Sequence, residues 1–127
     1  MTQSIQPPGF PKPRGYANGL IAPAGRTLYI SGQIPLDPAS GTLITGDIDA
    51  EIRRVFDNLA AIAKAAGGSL ANAVKVTVFL TDLGHFARVN EIMATYFEQP
   101  YPARAAVGVS ALPRRARVEM ECILHLA

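Results

Sequence analysis

The segment IDAEIRRVFDNLAAIAKAAGG at residues 48–68, followed by VKVTVFL at residues 74–80, decides the fold of this chain. In the first part, apolar residues recur every three or four positions, which predicts an amphipathic helix over residues 48–66. Asp47 is the expected N-cap, and Gly67-Gly68 is the expected end. In the second part, apolar and polar residues alternate, as in a strand with one buried face. The two segments therefore predict a helix packed on a sheet.

Outward from this segment, the same patterns predict the remaining elements. A second helix should run from Leu83 to Phe97, because an apolar stripe follows a Thr81-Asp82 cap and ends before two prolines. Turn residues bound four further runs of strand character, at residues 17–21, 27–31, 104–109 and 117–126. The first two runs are close enough in sequence to predict a hairpin.

The order strand, strand, helix, strand, helix, strand, strand predicts a single α+β domain over residues 1–127. The expected architecture is a mixed β-sheet with two helices packed on one face. Residues 1–15, rich in proline, predict an extended lead-in on the surface. The other sheet face should carry a mixture of apolar and polar side chains, namely Thr77, Phe79, Arg104, Glu119 and Ile123. Such a face is usually buried against another subunit, so we expect a homo-oligomer.

The composition bounds the classes of function. The chain has 127 residues, of which 49% are hydrophobic and 17% charged, and its net charge of +2 gives no reason to expect nucleic acid binding. Its one dense basic cluster, Arg114, Arg115 and Arg117, favours a solvated turn over a phosphate-binding patch. No apolar run approaches the roughly 20 residues of a membrane span, and the N-terminus lacks a signal peptide's apolar core. The single cysteine, Cys122, favours a reducing compartment, so we expect a cytoplasmic protein.

Arg104 is the first candidate for chemistry. Its same-face neighbours on the predicted strand, Ala106 and Gly108, are small and should leave room above the sheet. An arginine in such a hollow needs an anion, and its planar guanidinium can pair with a carboxylate through two parallel hydrogen bonds. That anion is either a ligand carboxylate or a glutamate, Glu119 or Glu121, in a salt bridge between subunits. The spacing alone leaves both interpretations open.

Two further polar residues fall at positions where structure alone would not require them. Glu119, between Val118 and Met120 on the last strand, either orients or deprotonates a water or forms a surface ion pair with Arg117. Taken alone, its position favours the ion pair. Asn90 lies on the apolar stripe of the second helix, so its amide must be hydrogen-bonded. A bond to a neighbouring backbone group is the favoured interpretation there.

The sequence contains no motif that supports a metal site or a cofactor site. His85 and His125 are 40 residues apart, and with one cysteine they match no zinc-binding spacing. The segment Ser31-Gly32-Gln33 lacks the lysine and the length of a phosphate-binding loop. Cys122 shares its predicted face with Val118 and Met120, which favours a core position over a reactive thiol.

Several short motifs occur together in a specific order. They are SGQIP at residues 31–35, VTVFLTDL at 76–83, FARVN at 86–90, YPARAAV at 101–107, LP at 112–113 and VEME at 118–121. In order and spacing this series resembles the Rid family (reactive intermediate deaminases, also called YjgF), and the RidA type most closely. The resemblance runs from about Tyr16 to the C-terminus, which is nearly the whole chain.

The resemblance implies a chorismate-mutase-like fold, a homotrimer with sites between subunits, and no cofactor. It implies hydrolysis of 2-enamine and 2-imine acids, such as 2-aminoacrylate, 2-iminopropanoate and 2-iminobutanoate, to 2-oxo acids and ammonia. Two alternatives stay open within the family. One is a pathway-specific relative acting on 3-aminoacrylate or 2-aminomuconate, and the other is a non-catalytic carboxylate sensor or RNA-binding translation inhibitor.

The resemblance also implies roles for individual residues. Arg104 matches the arginine that binds the substrate carboxylate, and Glu119 matches the glutamate that positions the attacking water. The positions matching other substrate-binding residues are Tyr16, Ser31, Gly32, Asn90 and Ala106, the last acting through its backbone N–H. This chain departs from many relatives by having Ala106 in place of a cysteine, and Gly108 in place of a larger, often acidic residue. The second departure predicts a wider cleft.

Overall fold

A computed structural model describes residues 3–11 and 16–127 of the chain. In chain order its elements are β1 (Gln3–Ile5), β2 (Gly19–Ile21), β3 (Arg26–Gln33), α1 (Ile48–Ala65), β4 (Ala73–Leu80), α2 (Phe86–Tyr96), β5 (Ala103–Gly108) and β6 (Val118–Leu126). Short 3-10 turns lie at Leu70–Asn72, Leu83–His85 and Pro113–Arg115. Of the expected lead-in, residues 1–2 and 12–15 lie outside the described residues.

Four strands form the main sheet in the order β3-β6-β4-β5. β4 runs parallel to β5, whereas β6 is antiparallel to both β3 and β4. Both helices bury apolar side chains in one core with this sheet, including Phe56 and Leu59 of α1 and Met93 of α2. The predicted single α+β domain, with a mixed sheet and two helices, is therefore confirmed. Neither α1 nor α2 is both long and apolar enough to cross a membrane.

The two helices begin close to the predicted positions. Asp47 caps α1, because its side chain accepts a hydrogen bond from the backbone N–H of Asp49. The second helix is divided: Asp82 caps the 3-10 turn Leu83–His85 by accepting from the N–H of Gly84, and α2 proper starts at Phe86. The apolar stripe gave the correct face of this helix, but a stripe does not distinguish a 3-10 turn from the first turn of an α-helix.

The predicted hairpin between β2 and β3 is wrong. β2 pairs with β1 instead, with Ser4 opposite Leu20. Just upstream of β2, Ala17 forms a parallel bridge with Ala103, and its N–H donates to the carbonyl of Pro102 at 2.9 Å. These contacts tie the chain to β5 at one edge of the sheet, whereas β3 lies at the opposite edge. The chain therefore crosses the sheet between β2 and β3 rather than folding back on itself.

The register of β4 with its neighbours decides which side chains share a face. Val76 lies opposite Arg104 on β5, and Phe79 lies opposite Glu119 on β6. Opposite residues on adjacent strands point to the same side, and residues three apart on one strand point to different sides. Val76 is fully buried in the core under the helices. The expectation that Arg104 and Glu119 share a face is therefore wrong: Arg104 lies on the helix-covered face and Glu119 on the open face.

A partly buried ion pair joins α1 to the start of β6. The carboxylate of Glu51, a residue only 2% exposed, accepts hydrogen bonds from Nε of Arg117 at 3.1 Å and from its NH2 at 2.5 Å. These bonds raise the pKa of Arg117 above its usual value. The sequence had suggested that Arg117 sits in a solvated turn or pairs with Glu119. The structure shows neither. Arg117 precedes the first residue of β6, so strand alternation does not govern the direction of its side chain.

Removing Arg117 should cost more stability than removing Glu51. Arg117→Ala leaves the buried carboxylate without a partner, for which we expect a loss of about 2–3 kcal/mol, below the full cost of a broken buried pair because the arginine side chain is 40% exposed. Glu51→Ala leaves a guanidinium that can turn to water. Urea unfolding measures both, with Arg88→Ala as the control, because its partner Asp49 is 37% exposed whereas Glu51 is buried. A midpoint shift for Arg117→Ala no larger than that for Glu51→Ala, or equal to that for Arg88→Ala, would contradict the prediction.

Cys122 should not react with thiol reagents in the folded protein. It is 1% exposed, and burial raises the pKa of its thiol to about 12, so almost no thiolate exists at neutral pH. The structure therefore confirms the predicted core position. Labelling with a chromogenic disulfide should proceed only at the rate of global unfolding and become fast in denaturant. Rapid labelling of native protein at pH 7 would show that this region opens locally.

Candidate functional site

Arg104 lies near the start of β5, with its guanidinium between the sheet and α2. One terminal nitrogen, NH1, donates to the side-chain oxygen of Asn90 and lies 3.7 Å from the sulfur of Met93. The guanidinium carbon lies 4.5 Å from the ring centre of Tyr16 and 5.0 Å from that of Phe86. Two aromatic faces and one amide therefore hold a partly buried cation in a fixed orientation.

Among the described residues, no carboxylate lies within ion-pair distance of Arg104. Burial lowers the pKa of its guanidinium below the usual value, and the nearby Tyr16 side chain opposes this shift only in part. Within the same residues, its hydrogen bonds use NH1 alone, which leaves Nε and NH2 to bind a ligand. These two donors form one edge of the planar group, the geometry that matches the two oxygens of a carboxylate. The alternative partner, Glu119 or Glu121 of another subunit, stays a prediction.

Backbone pairing brings Tyr16 to the arginine. Ala17, the next residue, is tied to the first residue of β5 by the parallel bridge to Ala103 and by the bond to the carbonyl of Pro102. In this parallel register Tyr16 lies beside Pro102, two residues before Arg104, and the guanidinium reaches its ring. The sequence predicted a substrate-binding role for Tyr16 only through the family resemblance.

Asn90 reaches Arg104 because of helical spacing. Phe86, Asn90 and Met93 are four and three residues apart, so they lie along one face of α2, and all three contact the guanidinium. The structure therefore replaces the favoured interpretation of Asn90, a bond to backbone, with a bond to the arginine side chain. Phe86 and Met93 belong to the apolar stripe from which this helix was predicted. Their contact with Arg104 could have been found only from the register of β5, which a single sequence does not give.

Ala106 lies two residues beyond Arg104, on the same side of β5. The N–H of Val109 donates to the carbonyl of Leu80 on β4. Along a strand, the N–H and C=O groups of successive residues point alternately to one neighbouring strand and to the other side. Ala106 is three residues before Val109, so its N–H and C=O groups point away from β4. β5 is the edge strand on that side, and Ala17 covers only its beginning. We infer that the N–H of Ala106 faces the free edge, where it can donate to a ligand.

Glu119 and Gly32 form a second group, on the open face of the sheet. The pairing of β3 with β6 shifts register between Ile30 and Gln33, so that Ser31 and Gly32 lie in a bulge opposite β6. A Cβ on residue 32 would overlap the carboxylate of Glu119. Glycine is therefore required at this position for the glutamate to lie over the strand. Ser31 is exposed, and its carbonyl accepts a hydrogen bond from the side chain of Gln33 at 3.1 Å.

One chain thus brings the expected site residues together as two groups. The first, which we call the anchor group, consists of Tyr16, Asn90, Arg104 and Ala106 on the helix-covered side of β5. The second, the carboxylate group, consists of Ser31, Gly32 and Glu119 on the open face. The sheet lies between them, so a ligand of few atoms cannot contact both groups within one chain.

The arginines of the predicted basic cluster belong to neither group. The basic cluster is dispersed, because Arg117 pairs with Glu51 while Arg114 donates to the carbonyl of Gly41 at 3.3 Å. Within residues 3–11 and 16–127, no three histidine, cysteine or acidic side chains come close enough together to hold a metal ion.

Comparison with known proteins places the chain among relatives of similar length. A family model described as endoribonuclease L-PSP matches residues 11–126. The 2-iminobutanoate/2-iminopropanoate deaminase of Mus musculus is 53% identical over 98 residues, covering 77% of this chain and 73% of its own length. Protein DfrA of Myxococcus xanthus is 48% identical over 108 residues, covering 85% of this chain and 82% of its own length. A RutC family protein of Pyrococcus horikoshii is 45% identical over 125 residues, covering 98% of each chain.

Solved structures agree with this assignment. RidA from an Antarctic Psychrobacter species is 46% identical, with a TM-score of 0.77 over 98% of this chain and 99% of its own. A protein of Thermotoga maritima described as a putative endoribonuclease is 41% identical, with a TM-score of 0.78 over 100% of this chain and 99% of its own. The resemblance found in the short motifs is therefore confirmed along nearly the whole chain. The chain belongs to the endoribonuclease L-PSP family, which is also called the YjgF or Rid family.

Proposed function

We propose that the protein hydrolyses small 2-imino acids, such as 2-iminopropanoate and 2-iminobutanoate, to 2-oxo acids and ammonia. The observation that carries this proposal is Arg104, a half-buried guanidinium with no carboxylate partner among the described residues and with one edge of donors available. The mammalian relatives named 2-iminobutanoate/2-iminopropanoate deaminase support the choice of substrate. Other relatives carry other names, so the substrate has to be tested directly.

The anchor group suits an acid with a carboxylate at one end. Two charge-assisted hydrogen bonds from Nε and NH2 of Arg104 would each contribute on the order of 1.5–3 kcal/mol, because they form in a partly desolvated site. Asn90 and the rings of Tyr16 and Phe86 already hold the guanidinium, so little side-chain entropy is lost when the ligand binds. This binding would orient the imine carbon along β5.

The reaction itself requires only modest help. The protonated carbon–nitrogen double bond accepts a water molecule at carbon, and the added water releases one proton to solvent, which gives a neutral tetrahedral amino alcohol. A proton then moves from oxygen to nitrogen, ammonia leaves, and the carbon–oxygen double bond forms. Fixing the imine and the water relative to each other accelerates the addition, and the N–H of Ala106 would stabilise charge on the oxygen. A backbone donor serves this role whether residue 106 is alanine or cysteine.

The carboxylate group would complete the site from another subunit. Glu119 is the candidate for orienting the attacking water, but it lies on the face of the sheet away from Arg104. That open face carries partly exposed apolar side chains, including Phe79 and Ile123, together with Tyr29, which is 74% exposed. Covering this surface with a second copy would bury apolar area and could bring Glu119 of one subunit to Arg104 of the next. We therefore propose a homotrimer with sites at its interfaces.

Arg104→Ala should lower kcat/KM for 2-iminopropanoate by at least about 100-fold, because both bonds to the substrate carboxylate are lost. The imine can be generated in the assay from alanine by an amino-acid oxidase, and its decay followed with and without the protein. Arg88→Ala is the matched control, since it removes another partly exposed arginine, one that pairs with Asp49 on α1. Full activity in Arg104→Ala, with a normal Arg88→Ala control, would refute the proposed anchor.

A mixture of two inactive variants should recover activity if the site lies between subunits. In oligomers assembled at random from equal amounts of Arg104→Ala and Glu119→Gln chains, about a quarter of interface sites receive both wild-type residues. Mixing under conditions of subunit exchange, or co-expression, should therefore restore about a quarter of wild-type activity. Sites contained within one chain would give no recovery at any ratio of the two variants. Each variant alone, measured after the same treatment, provides the baseline.

A further inference from the structure

Leu83 lies where the family motif assigns no function. It is the first residue of the 3-10 turn before α2, and 54% of it is exposed, which is unusual for a leucine beside a core helix. Along the edge of this helix, Asn90 and Phe86 face Arg104 on β5, and Leu83 faces Gly108 at the other end of the same strand. We use the word groove for the strip of surface between α2 and β5 that has Arg104 at its polar end and Leu83 at its apolar end.

Gly108 allows Leu83 to take this position. A Cβ on residue 108 would lie 3.1 Å from both Cγ and Cδ1 of Leu83, which is closer than ordinary van der Waals contact. Any larger residue would push the leucine away from the strand. The expectation that Gly108 widens the cleft is therefore incomplete, because the leucine side chain occupies the room that the glycine leaves.

The length of the groove sets which ligands meet Leu83. Seven residues separate Leu83 from Asn90, which corresponds to about 10–12 Å along a 3-10 turn and a helix. A hydrogen bond to the guanidinium takes up about 3 Å of this length, and van der Waals contact with Leu83 about 4 Å. The remainder, about 4 Å, holds three or four carbons at about 1.5 Å per bond.

We propose that Leu83 is a specificity-determining residue, which closes the groove just beyond the methyl or ethyl group of a small 2-imino acid whose carboxylate is bound by Arg104. This inference rests on the proposed function and assigns the size of its substrate. Ala106, between the two ends of the groove, lies beside the reacting carbon. Substrates with branched or longer side chains collide with Leu83, and the contact with Gly108 keeps the leucine close to the strand.

The test compares two imines in each protein, one with a methyl side chain, generated from alanine, and one with an isobutyl side chain, generated from leucine. Leu83→Ala should raise the ratio of kcat/KM for the isobutyl to the methyl imine by about tenfold or more, because the wall is removed. Leu83→Phe should lower the same ratio below the wild-type value. Ile21→Ala is the matched control, since Ile21 on β2 is also 54% exposed and should leave the ratio unchanged. The ratio cancels any loss of folded protein, because both rates come from one preparation.

The outcomes separate this inference from the function on which it rests. If wild type accelerates the loss of neither imine, the proposed function fails. If wild type is active and Leu83→Ala changes the ratio by less than about twofold, Leu83 does not set specificity while the function stands. A lower ratio in Leu83→Ala would overturn the inference as well, since it would mean that the leucine attracts long side chains rather than excluding them.

Discussion

The parallel pairing of β4 with β5, which sets Val76 opposite Arg104, is the constraint on which the site depends. It places a guanidinium on a face where the neighbouring strand presents only buried apolar side chains. Burial disfavours the charged form, as the lowered pKa of Arg104 indicates. The chain offsets this cost with an amide acceptor on α2 and with the faces of Tyr16 and Phe86, each worth about 0.5–2 kcal/mol. The side chains of Tyr16, Phe86 and Asn90 together hold this one cation.

The same pairing leaves β5 at the edge of the sheet, and the edge provides the second element of the anchor group. An edge strand presents unpaired backbone groups, which most proteins cover or blunt. Here Ala17 covers only the beginning of β5, at Ala103, and the edge beyond it is the part that faces the groove. The bridge therefore places Tyr16 within reach of the arginine side chain and also limits how much of the edge is closed. Side-chain recognition at Arg104 and backbone recognition at Ala106 arise from one strand.

Much of the fold could be predicted from local patterns, because each helix and the central strand carry strong periodicity. The cap of α1 at Asp47 and the core position of Cys122 follow from the identity and spacing of a few residues. The pairing of β2, the partner of Arg117 and the face of Arg104 could not be predicted in this way. Each depends on contacts between residues distant in sequence, which alternation along one strand does not determine. The motifs supplied a set of site residues to test, but they did not indicate that the sheet separates them.

The separation of Glu119 from Arg104 has a physical advantage for a site that must bind a carboxylate. A glutamate on the same face, about 4 Å from the guanidinium, would interact with it by up to about 4 kcal/mol at a dielectric constant near 20. Such an internal ion pair would compete directly with the substrate for Nε and NH2, and it would hold the glutamate in a position unable to orient water. With Gly32 beneath it on the opposite face, Glu119 is kept away from the arginine of its own chain. In the proposed trimer, the glutamate would then approach the site from the side of the imine carbon, while the arginine remains available for the substrate.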